Sequence, residues 1–342
     1  MSSNSFGSLL RLTTFGESHG AALGAVIDGC PAGIRLSEKD FETELKRRRP
    51  GQSAVTTSRS EEDRPVILSG IFEGKTTGMP IAVIVENKAQ RSQDYDKLKT
   101  VFRPGHADEV YDSKYGIRDY RGGGRSSGRE TLARVIGGVV ARKILPKNVT
   151  IIGHTVNVGG IEIETFDPTV IEKNPMRCAD MEAAKEMEKY VLELKSKGDS
   201  IGGIISVLIQ SPPKNLGDPV FGKLKSRLAD AIMSIGAVTG FSYGAGFDVA
   251  YMRGSEYVKD AQNFGGILGG ISTGDDIVLS VAVKSPSSVG KIAKEGRHDP
   301  CIVPRVIPVV EAMTALVLAD CWLLQKAYAR ERSAISDQRS AV

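Results

Sequence analysis

The sequence predicts an α+β fold. Three observations predict it: strand-like and helix-like runs come in mixed order, no βαβ rhythm connects them, and nothing repeats at a fixed period. A doubly wound sheet would need strand and helix to alternate regularly. At 342 residues the chain can bury a large core, and no Pro- or Ser-rich linker divides it. Residues 1–329 therefore read as one domain, followed by a polar, frayed tail over 330–342.

Leu9 to Thr14 and Ala21 to Asp28 have strand character and hold the two ends of a Gly16-Glu-Ser-His19-Gly20 loop. Ser37 opens a helix in which Phe41 and Leu45 share a face, and Lys46 to Arg49 place cations in its last turn before Pro50-Gly51 stops it. Three consecutive arginines exceed what the helix dipole needs. Thr56 to Asp63 reads as a polar, mobile segment; Val66 to Ser69 and Ile81 to Val85 read as strands separated by a turn region at Gly74 to Pro80. A polar loop from Gln90 to Lys99 leads into Val101-Phe-Arg-Pro-Gly-His106. Tyr120-Arg-Gly-Gly-Gly-Arg-Ser-Ser-Gly-Arg129 then runs straight into a helix striped by Leu132, Val135, Ile136, Val139 and Val140. His154, after the apolar Val149 to Gly153, is expected at a sheet end. Further helices are expected at Ala179 to Lys197, closed by Gly198, at Phe221 to Ile235 and at Val309 to Ala329, with strands at Ile201 to Gln210 and Ile277 to Lys284.

Composition narrows the function classes. The formal net charge of +4 is mild and aromatics make up 6% of the chain, which argues against a basic nucleic-acid protein. Cys30, Cys178, Cys301 and Cys321 are far apart without a CxxC pair, so no metal site and no disulfide scaffold is expected. The N-terminus lacks a signal-peptide pattern, and Asp320 interrupts the apolar run from Ala315 to Leu324. The expectation is a soluble cytoplasmic protein with no membrane partner.

Three of the four histidines sit in frames of Gly, Pro, Arg and a carboxylate: Gly-Glu-Ser-His19-Gly, Arg-Pro-Gly-His106-Ala-Asp and Gly-Arg-His298-Asp-Pro. A titratable ring in a permissive loop beside cations and an acid is suited to proton transfer. The Gly122 to Arg129 run combines flexible backbone, Ser126 and Ser127, two guanidinium groups and a following helix, which together suit a phosphate. It lacks the lysine of a Walker A loop. A second Gly-rich stretch, Phe264 to Ser272, is followed by Lys284, Ser287 and Ser288, which suits a planar ligand lying close to backbone. Gly16-Glu-Ser18-His19-Gly20 matches the G-x-S-x-G of a nucleophile elbow, yet a strand rather than a helix follows it, against a serine hydrolase. Arginines at 47 to 49, 103, 125, 129 and 297 all fall in or beside these loops, as expected of one polyanionic ligand gathered by distant segments. RNA could use the same set, but no aromatic-rich sheet motif accompanies it.

At these motifs the chain resembles the chorismate synthase family. The likeness rests on Gly-Glu-Ser-His-Gly with the following Ala-Val-Ile-Asp-Gly-Cys-Pro, on Gly-Arg-Ser-Ser-Gly-Arg-Glu-Thr, and on Gly-Arg-His-Asp-Pro-Cys leading to Pro-Val-Val-Glu-Ala-Met. It implies a β-α-β sandwich with helices between antiparallel sheets, a homotetramer, and the 1,4-elimination of phosphate from 5-enolpyruvylshikimate 3-phosphate. It also implies reduced FMN as cofactor, with NADPH involved only indirectly as reductant. By that resemblance Arg48, Arg49, Arg103 and Arg129 contact substrate, and Arg125, Ser126, Ser127, Gly236, Ala237, Gly269, Lys284, Ser287, Ser288 and Arg297 contact FMN. His19 would protonate the departing phosphate, His106 the reduced flavin near N1, and Asp299 would remove the ring proton with flavin N5, assisted by Ser18 and Ser127. Two positions depart from the family pattern: Ala54 stands where Arg is frequent, and Gly236 where Asn is frequent.

Overall fold

Period-two burial builds two antiparallel sheets. The computed structural model describes residues 3–57, 61–87, 101–290, 293 and 298–339, with side chains through Tyr328. In the first sheet, β1 (Ser5–Phe6), β2 (Arg11–Gly16), β3 (Ala22–Asp28), β4 (Pro65–Ile67) and β7 (Ile81–Glu86) lie in the order β1-β2-β3-β7-β4. Ala25 and Ile27 of β3 and Ile81, Val83 and Val85 of β7 point to the buried face. The hairpin of β5 (Ile71–Phe72) and β6 (Lys75–Thr76) connects the last two strands. The second sheet orders β8 (Thr150–Val158), β9 (Ile161–Glu162), β10 (Gly203–Gln210), β11 (Val238–Tyr243) and β14 (Ile277–Val283) as β11-β14-β10-β8-β9. A two-stranded hairpin, β12 (Ile267–Leu268) with β13 (Ile271–Ser272), stands apart.

The helices are α1 (Glu38–Arg48), α2 (Asp108–Tyr115), α3 (Thr131–Ile144), α4 (Met181–Lys197), α5 (Leu224–Met233), the one-turn α6 (Gly254–Tyr257) and α7 (Val303–Arg339). α3 packs on α7; α3 also touches β2 and β3, whereas α7 touches β8 and β10. The expected helix layer between two antiparallel sheets is therefore present. The two helices approach closely at Gly138, where an added Cβ would lie 2.3 Å from the Ala312 Cβ. α4 is fixed by Asp180, whose oxygens accept the N–H groups of Glu182, Ala183, Glu164 and Thr165. Those hydrogen bonds hold its carboxyl far below the ordinary range.

Several boundaries differ from the sequence expectation. The last helix begins at Val303 rather than Val309, because Pro304 fits its first turn and the interior Pro308 is accommodated by Arg177, which donates to the Pro304 carbonyl that a 308 N–H would otherwise meet, and it runs on to Arg339. Within the Thr56 to Asp63 stretch, whose residues 58–60 lie outside the described residues, Thr56, Thr57 and Asp63 are buried rather than solvated, and ion pairs hold the acid. His154 lies inside β8, opposite Ser206, instead of at a sheet end. Its ring packs on Phe166, Nδ1 has no hydrogen-bond partner, and burial pushes its pKa down to about 4. The polar stretch from Gln90 to Lys99 and Arg297 lie outside the described residues.

α7 is long and apolar enough over Val303–Tyr328 to cross a membrane, but 89% of its most apolar window is buried inside the protein, as suits a core helix. Two carboxylates interrupt that apolar surface. Glu311 receives Arg47 of α1 at 2.6 Å, Arg142 of α3 at 3.0 Å and the Gly153 N–H of β8 at 2.7 Å. Asp320 accepts the N–H groups of Ser8, Leu9 and Leu10 at 2.7–2.9 Å and is paired with Arg227 of α5. Asp320→Ala would leave Arg227 and three amides without their acceptor. A loss of about 3–5 kcal/mol of unfolding free energy is expected, read as a lower midpoint in a denaturant titration; a midpoint equal to that of the wild type would refute it.

Candidate active site

One cleft of about 2780 Å³ gathers the loops that carry the histidines. Typical small-molecule pockets span about 300–1,000 Å³, so this cleft has room for two ligands side by side. His19, His106 and Asp299 all line it, together with Ser18 and Ser127. Segments separated by some 280 positions thus share one cavity, as 299 minus 19 shows.

The glycines around the two histidines are required by close approach. An added Cβ at Gly122 would lie 2.4 Å from His19 Nδ1 and 3.0 Å from Ser18 Oγ. Ser18 Oγ itself lies 3.1 Å from Nδ1, fixing the ring orientation. The neighbouring Asp119, kept below the usual carboxylate range by the Arg121 hydrogen bond, also feels the His19 charge. Gly105, at φ +68, comes so near Ser287 that a Cβ would lie 2.9 Å from the serine Cβ. His106 Nδ1 is 3.0 Å from the Pro104 carbonyl, which can only accept, so Nδ1 carries the proton. Nε2 then faces Ser288 Oγ at 3.4 Å.

The arginines of the cleft are set by acids, most of which sequence reasoning passed over. Arg129 donates to Asn87 Oδ1 at 2.6 Å and to Asp63 Oδ1 at 2.9 Å, and is paired with Glu61. Asp63 also receives Arg48 at 3.3 Å, while Arg48 donates onward to Thr131 Oγ1 and the Gly128 carbonyl. Burial, then the nearby Arg305 and Arg129 charges, push Arg48 down to about 10 in spite of Asp63. Arg103 forks onto Asp108 at 2.7 and 2.8 Å; burial would raise that carboxyl, but the Arg103 hydrogen bonds outweigh it and hold it low. Arg125 turns back to Thr14 and the Gly16 carbonyl, with Glu130 3.7 Å away. These acids lie in stretches that read as polar loop or early helix, and only their side-chain partners reveal them.

The phosphate-suited loop is where the sequence places it. Short 3-10 turns at Gly124–Ser126 and Gly128–Glu130 precede α3, and Ser127 Oγ accepts the Arg129 N–H at 3.3 Å. Across the cleft stand Gly236, Ala237, Lys284, Ser287 and Ser288; Lys284 Nζ reaches Ser287 Oγ at 2.7 Å. Ala237 holds φ +71, a costly conformation for a side-chain residue on a cleft wall. A Cβ on Gly236 would meet open space, so a side chain there has room but none is present. Two expected site residues are not in the cleft lining: Gly269 sits in the β12–β13 turn, and Arg49 ends α1 with its Nε buried and without a hydrogen-bond partner. Arg49 leaves the cleft because its backbone closes the helix, N–H to the Leu45 carbonyl. Arg305 and Thr57 enter the site unforeseen, each bonded to Asp299.

The hydroxyls, lysine and backbone on this wall suit a phosphorylated planar ring beside His106, and the arginine group suits a second anion beside His19. Comparisons with known proteins agree. A family model described as chorismate synthase matches residues 10–323. A Christiangramia forsetii protein named chorismate synthase is 50% identical, the match covering 95% of this chain and 99% of that one. Its Methanosarcina mazei counterpart of the same name is 51% identical over 94% of this chain and 96% of its own. A solved structure titled as the crystal structure of chorismate synthase superposes with a TM-score of 0.74 at 32% identity, covering 93% of this chain and 92% of its own.

Gly122→Ala is expected to displace the His19 ring without unfolding the protein. NMR should show moved His19 imidazole signals with His106 signals and the unfolding midpoint unchanged; an unmoved His19 would show that the contact is not needed.

Proposed function

We propose how this cleft works on one premise: the chain belongs to the chorismate synthase family, whose members catalyse 1,4-elimination of phosphate from 5-enolpyruvylshikimate 3-phosphate to give chorismate. The family requires reduced FMN although the reaction has no net redox change. The observation that carries the residue assignment is the meeting of His19, His106 and Asp299 in one cation-lined cleft.

Arg48, Arg103 and Arg129 take the phosphate and carboxylates of the substrate. Their internal acids keep them oriented and lower the cost of burying the cations while the site awaits its anions. Arg125, Ser126, Ser127, Lys284, Ser287 and Ser288, with the backbone at Gly236 and Ala237, hold the FMN. When bound, the reduced flavin supplies transient electron density to the breaking bond. His19 delivers a proton to the leaving phosphate, its ring steadied by Ser18. His106, with Nδ1 donating to the Pro104 carbonyl, would offer Nε2 for proton transfer to a bound reduced flavin. Asp299 would remove the substrate's ring proton, with the bound flavin supplying the electronic assistance. Each proton-transfer group is worth about 10²- to 10⁴-fold in rate.

Reduction of the flavin is left to a separate reductase or a reduced-flavin pool, with NADPH as the distant reductant. The chain works in the cytoplasm as a homotetramer without nucleic-acid or membrane partners; exposed Phe221, Phe247 and Tyr251 provide apolar surface for contacts between copies.

Under anaerobic conditions with reduced FMN and the enolpyruvyl substrate, the protein is expected to release chorismate and phosphate in equal amounts. Absence of both products would overturn the reading. His106→Ala is expected to lower kcat by about 10²- to 10⁴-fold with the fold intact by circular dichroism; unaltered turnover would remove His106 from the mechanism.

A further inference from the structure

We propose that Arg305 is the positioning residue for Asp299, an inference that rests on the assignment of Asp299 as the base. Asp299 lies just ahead of α7, and both of its oxygens are engaged. Oδ1 accepts the Thr57 N–H at 2.9 Å, and Oδ2 is paired with Arg305 Nη1. Arg305 is itself anchored at a second edge, its Nε donating to the Arg48 carbonyl at 3.3 Å. The guanidinium thus ties the carboxylate to the end of α1, the same helix end that carries the cleft's Arg48.

Position argues for the same role. Arg305 stands in the first turn of α7, where the helix dipole disfavours a cation, and its side chain is only 17% exposed. A cation placed at that electrostatic cost needs a compensating partner, and the Asp299 carboxylate, 10% exposed and facing the same cleft, is that partner. A carboxylate offers about four acceptor directions. One donor on each oxygen fixes its plane and still leaves lone pairs with which to take a substrate proton. Thr57 and Arg305 together therefore set the angle at which Asp299 meets the ring hydrogen.

The test is a double-mutant cycle on the full-length chain with reduced FMN, read by single-turnover chorismate formation. Arg305→Ala is expected to lower kcat by about 10- to 100-fold while KM for the enolpyruvyl substrate changes little, and to have almost no effect in an Asp299→Ala background. Arg305→Lys, which keeps the charge but not the fork, should recover part of the loss. A substrate-anchoring role for Arg305 would instead raise KM, and a purely structural role would give the same loss in both backgrounds; either result overturns the inference. Should Arg305→Ala fail to fold, Arg305→Lys and Arg305→Gln enter the same cycle. Wild-type turnover by Asp299→Ala would remove the base assignment, and this inference with it. A slow Asp299→Ala with an additive Arg305 effect would overturn the inference alone.

Discussion

Two carboxylates buried on one apolar helix organise the molecule. A carboxylate taken out of water must be met by donors, and removing any of them leaves a charge without compensation. Glu311 draws in Arg47, Arg142 and the amide of Gly153, so α1, α3 and the second sheet converge at one level of α7. Asp320 draws in the Ser8 to Leu10 backbone and Arg227, which brings the first sheet's leading edge and α5 to the other end. The apolar surface between them supplies most of the burial. The acids decide which elements share it, and hence where the loops that leave those elements must meet.

The cleft repeats the same logic in reverse. There the costly groups are cations, and Asp63, Glu61, Asp108, Glu130 and Asp299 meet them. A guanidinium already committed to a carboxylate gives up little rotamer freedom when an anion arrives. The arrangement keeps the site from collapsing around unpaired charge. It also leaves each arginine with a set orientation, which suits a reaction that depends on placing a leaving group.

Much of this was legible in the sequence, and the parts that were not share a cause. The strands around His19, the Gly-rich turn ahead of α3 and the helix closed by Gly198 follow from local periodicity and turn chemistry, and they stand where expected. Asp63 and Arg305 escape the sequence because their meaning lies in partners elsewhere in the chain: Arg129 and Arg48, 66 and 15 residues from Asp63, and Asp299, 6 residues from Arg305. A polar residue in a loop and a cation in a helix turn have no one-dimensional signature. His154 departs from a sheet end for the converse reason, since the strand continues through it and Phe166 packs against its ring. Gly269 and Arg49, expected at the site on local pattern and likeness together, stand instead in a separate hairpin and at a helix stop.

The consecutive arginines at the end of α1 show how finely neighbouring letters can diverge. Arg47 reaches to Glu44 and Glu172 near the surface and to the buried Glu311, Arg48 reaches forward to Asp63 and the Gly128 turn, and Arg49 closes the helix with its N–H on the Leu45 carbonyl. A residue-by-residue mutational scan would accordingly return unlike tolerance profiles from neighbouring letters of one basic triplet, with Arg47 limited by abundance in the cell and Arg48 by flux.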